Sequence, residues 1–447
     1  VSKGSFCKAR AYARGKGLAS SVALQIGQSL GAKSEILGET RFPGCGQECP
    51  RSEAEGGDEM EGDLAQWVVA LRRDIHMHPE LSGEEVRTTK IVTEILQELG
   101  LEVRQWEDMT GAVGILGGSS RGPTLALRAD MDALPIEELN EVPYRSQVPG
   151  VMHACGHDAH TAIMLGVARA VVSSPWRPDM KGNLVFLFQP AEERVSGARE
   201  MISRGVLEDP PVDLVMACHV VPDIPAGFVG LFRGPSHASA DSFSLIVRGK
   251  GAHGGRPNEG VDPIVAGAHF VCALQTLVSR NIKPTEPAVV TIGKFWAGSV
   301  GNVIPEVAEL EGTVRALSED VRKRLLERLG ELREGMDRSF GVKSELKLRE
   351  SVPVCINDEK VSLLLHEVAT EILGEEKVLW LQPSMGAEDF SLFAQIKPSA
   401  IMRLGCAKEL ESRDNYAPLH SPRFDIDESC LMVGVRIFTE AARRLLS

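Results

Sequence analysis

No stretch of this 447-residue chain approaches ~18 consecutive apolar residues, so a membrane-spanning helix is excluded. A basic surplus is missing too: 49 Lys and Arg stand against 62 Asp and Glu, a formal net charge of -13. That balance argues against nucleic acid or an anionic membrane surface as the main partner, while leaving room for a local pocket that binds a small anion. The nine cysteines include no CxxC pair and no secretory leader accompanies them, which fits reduced thiols in a reducing compartment. A phosphate loop is absent: the turn Gly249-Lys250-Gly251-Ala252-His253-Gly254-Gly255 has neither the GxxxxGK[ST] spacing nor a suitable helix after it. No internal repeat or long low-complexity tract is found. What is present is apolar material, 43% of the chain, enough for a large core and, by length alone, for roughly three domains of ~150 residues.

Organisation changes along the chain. Val1 to Ser34 carries six Lys or Arg and no acid, the composition of an organelle-targeting segment or of a disordered leader. Gly44 to Asp63 turns acidic and Gly-rich and reads as a linker, so residues 1–62 are expected to precede the ordered protein. The first helix is expected to start at Asp63 as N-cap, with Leu64, Trp67, Val68, Leu71 and Ile75 at helical spacing. A second is expected from Ser82, with Glu85 completing a capping box, Ile91, Ile95 and Leu99 facing inward and Gly100 as the stop. The short apolar runs Thr124 to Ala129, Asn183 to Phe188 and Val212 to Cys218 read as buried strands joined by crossover helices, an α/β sheet pattern.

From about Ser239 the order becomes strand, helix, two strands, helix, strand, that of a ferredoxin-like module. The α/β pattern resumes near Val354. The expected architecture is an α/β catalytic domain over residues 63–238 and 350–447, interrupted by an inserted module over residues 239–349.

In open α/β sheets, sites form beyond the carboxyl ends of the strands. Here Arg128 and Asp130 follow the first apolar run, Glu192 and Glu193 the second, and His219 the third. Between them, His153-Ala154-Cys155-Gly156-His157-Asp158-Ala159-His160 offers a thiol and an imidazole suited to a first-row transition metal. A Cys155 nucleophile with His157 as base, or a packed loop, fits the same residues. The adjacent Glu192 and Glu193 are expensive to bury unless a cation or proton compensates them; two surface acids opening a helix are the alternative. His219, inside an apolar strand, serves equally as a hydrogen-bonded core histidine, and His420 in its loop is uninformative alone. Asn302 and Arg315 suit either a substrate anion or a solvated strand pair. His76, His78, His237, His269 and His366 carry no nameable partner and read as structural.

Taken together, the motifs resemble one family, the di-metal aminoacylase and carboxypeptidase metallopeptidases, in particular their amidohydrolase branch of hippurate, N-acyl-amino-acid and indoleacetyl-amino-acid hydrolases. The resemblance spans about Asp63 to Leu446. It rests on His78-Pro79-Glu80-Leu81-Ser82, Arg128-Ala129-Asp130-Met131-Asp132-Ala133-Leu134-Pro135, the His153 cluster, Gln189 to Glu193, the His253 turn, Asn302-Val303-Ile304-Pro305, Met385-Gly386-Ala387-Glu388-Asp389-Phe390 and Leu419-His420-Ser421-Pro422.

The resemblance implies a three-layer catalytic domain with a mixed sheet, and a lid that also dimerises. It implies two divalent metal ions per subunit, Mn or Zn, on Cys155, His157, Glu193, His219 and His420, with Cys155 bridging. Glu192 would be the general base and Asp130 would orient His157. His253 would reach a neighbouring subunit's site to stabilise the oxyanion, and Asn302 and Arg315 would hold the substrate carboxylate. The implied reaction is cleavage of a small N-acyl amino acid, with a carboxypeptidase or dipeptidase activity, or a catalytically silent acyl-amino-acid binder, as alternatives. The implied partner is a second copy of the chain, with neither nucleic acid nor membrane. Arg256-Pro257-Asn258 and Ser299-Val300-Gly301 depart from the branch near the expected substrate pocket, which touches acyl preference rather than hydrolysis. No endoplasmic-reticulum retention signal ends the chain. The expected location is cytoplasmic, or organellar if the basic leader targets.

Overall fold

The computed structural model describes residues 54–408 and 417–447, so the basic stretch 1–34 and its targeting reading lie outside the described residues. No helix among them is long and apolar enough to cross a membrane. Glu59–Ser447 forms a compact unit.

Its main sheet has eight strands, in the order Glu102–Arg104, Ala112–Gly117, Lys181–Gln189, Ser120–Asp130, Leu214–Pro225, Ser399–Ala407, Val229–Leu231 and Val378–Trp380. It is mixed. Ser120–Asp130 runs parallel to both neighbours, and Leu214–Pro225 parallel to Ser399–Ala407, whereas Ala112–Gly117 is antiparallel to Lys181–Gln189. The central strands are apolar on both faces because both are covered. Leu125, Leu127, Phe186, Phe188, Met216 and Met402 pack with Ile163, Val167 and Phe438 of the helices His157–Val172 and Ser429–Leu446. The alternate residues Ala126, Val185, Leu187, Ala217 and Ile401 pack against Met201, Phe390 and Phe393 on the other face.

A second sheet holds the strands Ala288–Ala297, Val307–Ala316, Ser239–Arg248 and Lys343–Val352 in that order, every neighbouring pair antiparallel. The helices Pro263–Asn281 and Glu319–Phe340 pack against it around their own cluster of Phe243, Leu245, Leu310, Phe270, Leu274 and Leu325. Asp262 caps the first helix by accepting from the Ile264 and Val265 amides.

Two helix starts differ from expectation. The first helix runs Ala54–Met77, so Asp63 lies inside it and part of the expected linker is helical; the propensity penalty of Gly56, Gly57 and Gly62 does not stop the hydrogen-bond ladder. The second runs Val86–Glu98 with no side-chain cap. Ser82 and Glu85 are engaged elsewhere: Ser82 Oγ donates to Asp132 at 2.6 Å, and Glu85 accepts from the Ala191 amide at 2.8 Å and from Thr110 Oγ1 at 2.6 Å. A capping box yields here because both side chains find buried partners that satisfy other elements. The inward residues Val92 and Leu96 sit one position from Ile91 and Ile95, which are half-buried.

Phe186 is fully buried on the sheet face under the closing helix. Replacing it with Ala should cost ~3–5 kcal/mol, seen as a lower urea midpoint at unchanged m-value.

Candidate functional site

The site forms where strand ends and strained loops meet. Gly156, with φ of 83°, precedes the helix that begins at His157, and a Cβ on it would lie 2.3 Å from Val220 Cγ2, so only glycine lets Cys155 and His157 approach the Leu214–Pro225 strand. Ala191, Val195 and His420 have φ of 52°, 56° and 65°, left-handed values at non-glycine residues that cost on the order of 1–3 kcal/mol each. Ala191 and Val195 bracket Glu192 and Glu193. Their loop is held by Glu85 on the Ala191 amide and closed over Gly197, where a Cβ would meet the Pro190 carbonyl oxygen at 1.6 Å.

The five expected ligands come together. Donor atoms of Cys155, His157 and His219 lie within 4.8 Å of one another, as do those of Cys155, Glu193 and His420, and those of His157, Glu192 and Glu193. Cys155 Sγ is 3.5 Å from His219 Nε2, and His420 Nε2 is 3.3 Å from Glu193 Oε1.

The tautomers suit a cation. His219 Nδ1 donates to the Val220 carbonyl at 2.7 Å and His157 Nδ1 donates to Asp132 at 3.1 Å, which leaves both Nε2 lone pairs facing the cluster. His157 Nε2 and Glu193 Oε1 are buried with no hydrogen-bond partner. Burial also pushes the Cys155 thiol far above its usual range, so a thiolate there calls for a positive charge beside it. These donors fit divalent first-row metal ions, with a thiolate, imidazoles and a carboxylate as the ligand set.

Around them lies an inner ring of acids. Asp132 accepts from His157, from Ser82 Oγ at 2.6 Å and from the Glu193 amide at 2.9 Å. It therefore corrects the expectation for Asp130. Asp130 instead accepts from His160 Nδ1 at 2.6 Å and Arg128 at 2.7 Å, and stands 3.7 Å from His157 Nε2. The two acids differ because Asp130 is the last strand residue, beside Arg128, whereas Asp132 lies beyond the strand and reaches the Glu193 loop. Glu192 makes a third acidic group with Glu388 and Asp389. Burial, reinforced by those two carboxylates, holds the Glu192 carboxyl well above its ordinary value, and burial lifts Asp389 to about 7 despite Arg128.

His253, Asn302 and Arg315 lie on the second sheet's elements. Gly254 N donates to the Asn302 carbonyl at 2.8 Å beside the His253–Val303 pairing, which joins two of the three. Arg315 NH1 donates to the Val314 carbonyl at 3.3 Å. Among the described residues no hydrogen bond or ion pair links these three to the Cys155 cluster.

The residues missed from sequence are Asp132, His160, Glu388 and Asp389. His160, one helical turn after His157, sits between Asp130 and the Val220 amide, which donates to its Nε2 at 2.8 Å. The i, i+3 spacing of His157 and His160 was the available signal.

Cys, His and carboxylate donors converging at the strand ends of a mixed sheet make a metal-dependent hydrolase of the α/β class. Residues 126–444 match the model of peptidase family M20/M25/M40, and the chain belongs to that family, whose members are metal-dependent hydrolases of amide bonds. N-acetyl-L-cysteine deacetylase of Bacillus subtilis is 38% identical, over 86% of this chain and 89% of its own. Thermostable carboxypeptidase 2 of Saccharolobus solfataricus is 38% identical over 83% and 93%, and IAA-amino acid hydrolase ILR1-like 4 of Arabidopsis thaliana 36% identical over 86% and 87%. The crystal structure of the Bacillus subtilis YXEP protein, described as a dinuclear metal binding peptidase from the M20 family, superposes with a TM-score of 0.75 at 34% identity, covering 86% of this chain and 99% of that one.

Asp132→Ala should lower metal affinity about 10- to 100-fold by freeing the His157 ring and the Glu193 loop. Titration against a competing chelator measures this, with circular dichroism confirming an intact fold.

Proposed function

We propose that this chain is a di-metal amidohydrolase that cleaves N-acyl amino acids into a carboxylic acid and a free amino acid. The observation that carries the reading is the convergence of His157 Nε2 and Glu193 Oε1, buried atoms that make no hydrogen bond, with Cys155, His219 and His420 beside Glu192. The names of the deacetylase and the IAA-amino acid hydrolase support the substrate class. A carboxypeptidase activity is the second reading, favoured by the equally similar thermostable carboxypeptidase; both reactions cut an amide that leaves a free amino acid.

Two divalent ions, Mn or Zn, held by Cys155, His157, Glu193, His219 and His420, would supply Lewis acidity that polarises the amide carbonyl and acidifies water. Everything else falls to the protein. Glu192 takes the proton of the attacking water and returns it to the departing amine nitrogen, and its raised pKa suits a base that must hold a proton between those events. Asp132 fixes the His157 tautomer and the Glu193 loop. His253, from a neighbouring subunit, stabilises the oxyanion, while Asn302 and Arg315 bind the substrate carboxylate and help exclude water.

Residues 239–349 form the inserted ferredoxin-like lid in this reading, supported by the β-α-β-β-α-β order and by the position of the first strand between the third and fourth. Residues 63–238 and 350–447 are then the catalytic domain. The lid is also the homodimer surface. The edge strand Ala288–Ala297 and the start of the neighbouring helix expose Val289, Phe295, Trp296, Ile264 and Val265, with Trp296 69% accessible, a pattern that favours a partner.

Exhaustive chelation should abolish hydrolysis of N-acyl amino acids, and Mn or Zn should restore it; activity untouched by chelation would instead favour the Cys155 nucleophile. Glu192→Ala should retain bound metal by elemental analysis and lose about 10²–10⁴-fold in kcat. Trp296→Glu should convert a dimer to a monomer in analytical ultracentrifugation, and a wild-type chain that is monomeric at every concentration would count against both the lid interface and the trans role of His253.

A further inference from the structure

Buried arginines are paired in folded proteins because an isolated interior charge is costly. Arg128 obeys this rule: it is 1% exposed and donates to Gln189, Asp130, Glu388 and Asp389 at 2.8, 2.7, 3.1 and 2.9 Å. Arg403 does not. It lies in the Ser399–Ala407 strand directly opposite His219 in the parallel ladder, so the two side chains leave the sheet on the same face. That face carries the metal cluster, with His219 Nε2 3.5 Å from Cys155 Sγ. Among the described residues no carboxylate lies within ion-pairing distance of Arg403; its hydrogen-bond partner is the ring of His237, which accepts from NH2 at Nε2.

His237 is buried and donates through Nδ1 to Ser236 Oγ at 3.0 Å, so the ring is fixed in the tautomer that accepts from Arg403. The chain segment after it is fixed in turn, since the Ala238 amide donates to the Ser384 and Gly386 carbonyls at 3.1 and 3.0 Å. A guanidinium has five N–H donors, and none of the Arg403 nitrogens is both sealed from solvent and unpaired. The donors not given to His237 therefore face accessible space beside the cluster.

We propose that Arg403 is a substrate-binding, specificity-determining residue: held by His237, it grips the carboxylate of the amino-acid half of the substrate from the catalytic subunit itself, alongside Asn302 and Arg315. The inference rests on the amidohydrolase reading for its substrate class. The chemistry selects a carboxylate because a planar guanidinium fork matches one bidentately, and because Glu192 and Glu193 would otherwise repel an anionic substrate. A neutral carboxamide in the same position would leave the charge unpaired, which is how a site built for one polar group rejects its analogue. Burial pulls Arg403 below the ordinary guanidinium value, with no acid close enough to reverse the effect, whereas the acids around Arg128 push that group up. Arg403 is thus the guanidinium of the two that gains from an incoming anion.

The test uses the metal-loaded full chain carrying Glu192→Ala, so that bound ligand persists, and calorimetric Kd values for an N-acyl amino acid and its carboxamide. Arg403→Gln should weaken the acid at least about 10-fold, the range of a lost charge-assisted hydrogen bond, and the carboxamide less than about 3-fold. Arg403→Lys should fall between. Equal losses for both ligands, or an unchanged Kd for the acid, would overturn the proposal and leave the carboxylate to Arg315. If Arg403→Gln does not fold by circular dichroism, Arg403→Lys decides on the same acid-to-carboxamide ratio. Turnover of an N-acyl amino acid panel by the wild-type chain judges the amidohydrolase reading separately: with no turnover at all, a binding preference for the acid that disappears in Arg403→Gln still supports the anion site, and a preference that persists overturns it.

Discussion

The structure depends on how one guanidinium, Arg128, is shared among buried acids. Its donors reach Asp130, Glu388 and Asp389, and Gln189 supplies a further pair of hydrogen bonds to Asp389 at 2.8 Å each. That arrangement ties the Ser120–Asp130 strand, the end of the Lys181–Gln189 strand and the Glu388 segment into one polar core, 260 residues apart in sequence for Arg128 and Glu388. It does not neutralise everything nearby. Glu192, Glu193 and Asp132 remain, and a single positive charge cannot balance six carboxylates in an interior of low dielectric. Burial and mutual repulsion raise the carboxyls, Asp389 to about 7 and Glu192 well above its ordinary value, which favours a proton as one remedy. Cations are the other remedy, and donor atoms of His157 and Glu193 that make no hydrogen bond lie beside Glu192.

Strain is distributed in the same place. The loops carrying Glu192 and His420 adopt left-handed backbone at Ala191, Val195 and His420, and the turn before His157 requires Gly156. Each deviation aims a ligand at the common centre. Their cost is offset by the covered sheet beneath, whose central strands bury both faces and hold the strand ends rigid. The lone pairs of the two imidazoles are then oriented by short-range partners, the Val220 carbonyl and Asp132, rather than by the loops themselves.

Much of this was legible in the sequence, for physical reasons. Strands buried on both faces must be continuously apolar, so Thr124 to Ala129 and Asn183 to Phe188 announced themselves. Metal-competent residues beyond strand ends are conspicuous because the runs leading to them are mostly apolar. Partner choice was not legible. Asp130 and Asp132 have the same parity and nearly the same neighbours in sequence, and only the path of the chain after the strand decides which meets His157 Nδ1. Ser82 and Glu85 matched a capping box, yet each was drawn away by a group distant in the chain, 50 residues for Asp132 and 106 for Ala191. His237 and Arg403, 166 residues apart, gave no local sign of pairing.

The two arginines then explain how an acidic chain can receive an acidic substrate. A net charge of -13 sets the far field and opposes any anion at long range, but that repulsion is screened beyond about 8 Å at physiological ionic strength. At contact, only charges that are not already satisfied matter. Arg128 is saturated by carboxylates and contributes structure; Arg403, facing a neutral imidazole, keeps its attraction for a ligand. An arginine left so pays a desolvation cost in the empty site that an incoming carboxylate relieves, so part of the binding energy is stored in the fold before substrate arrives. Selectivity follows from the same cost: a ligand without the carboxylate relieves none of it.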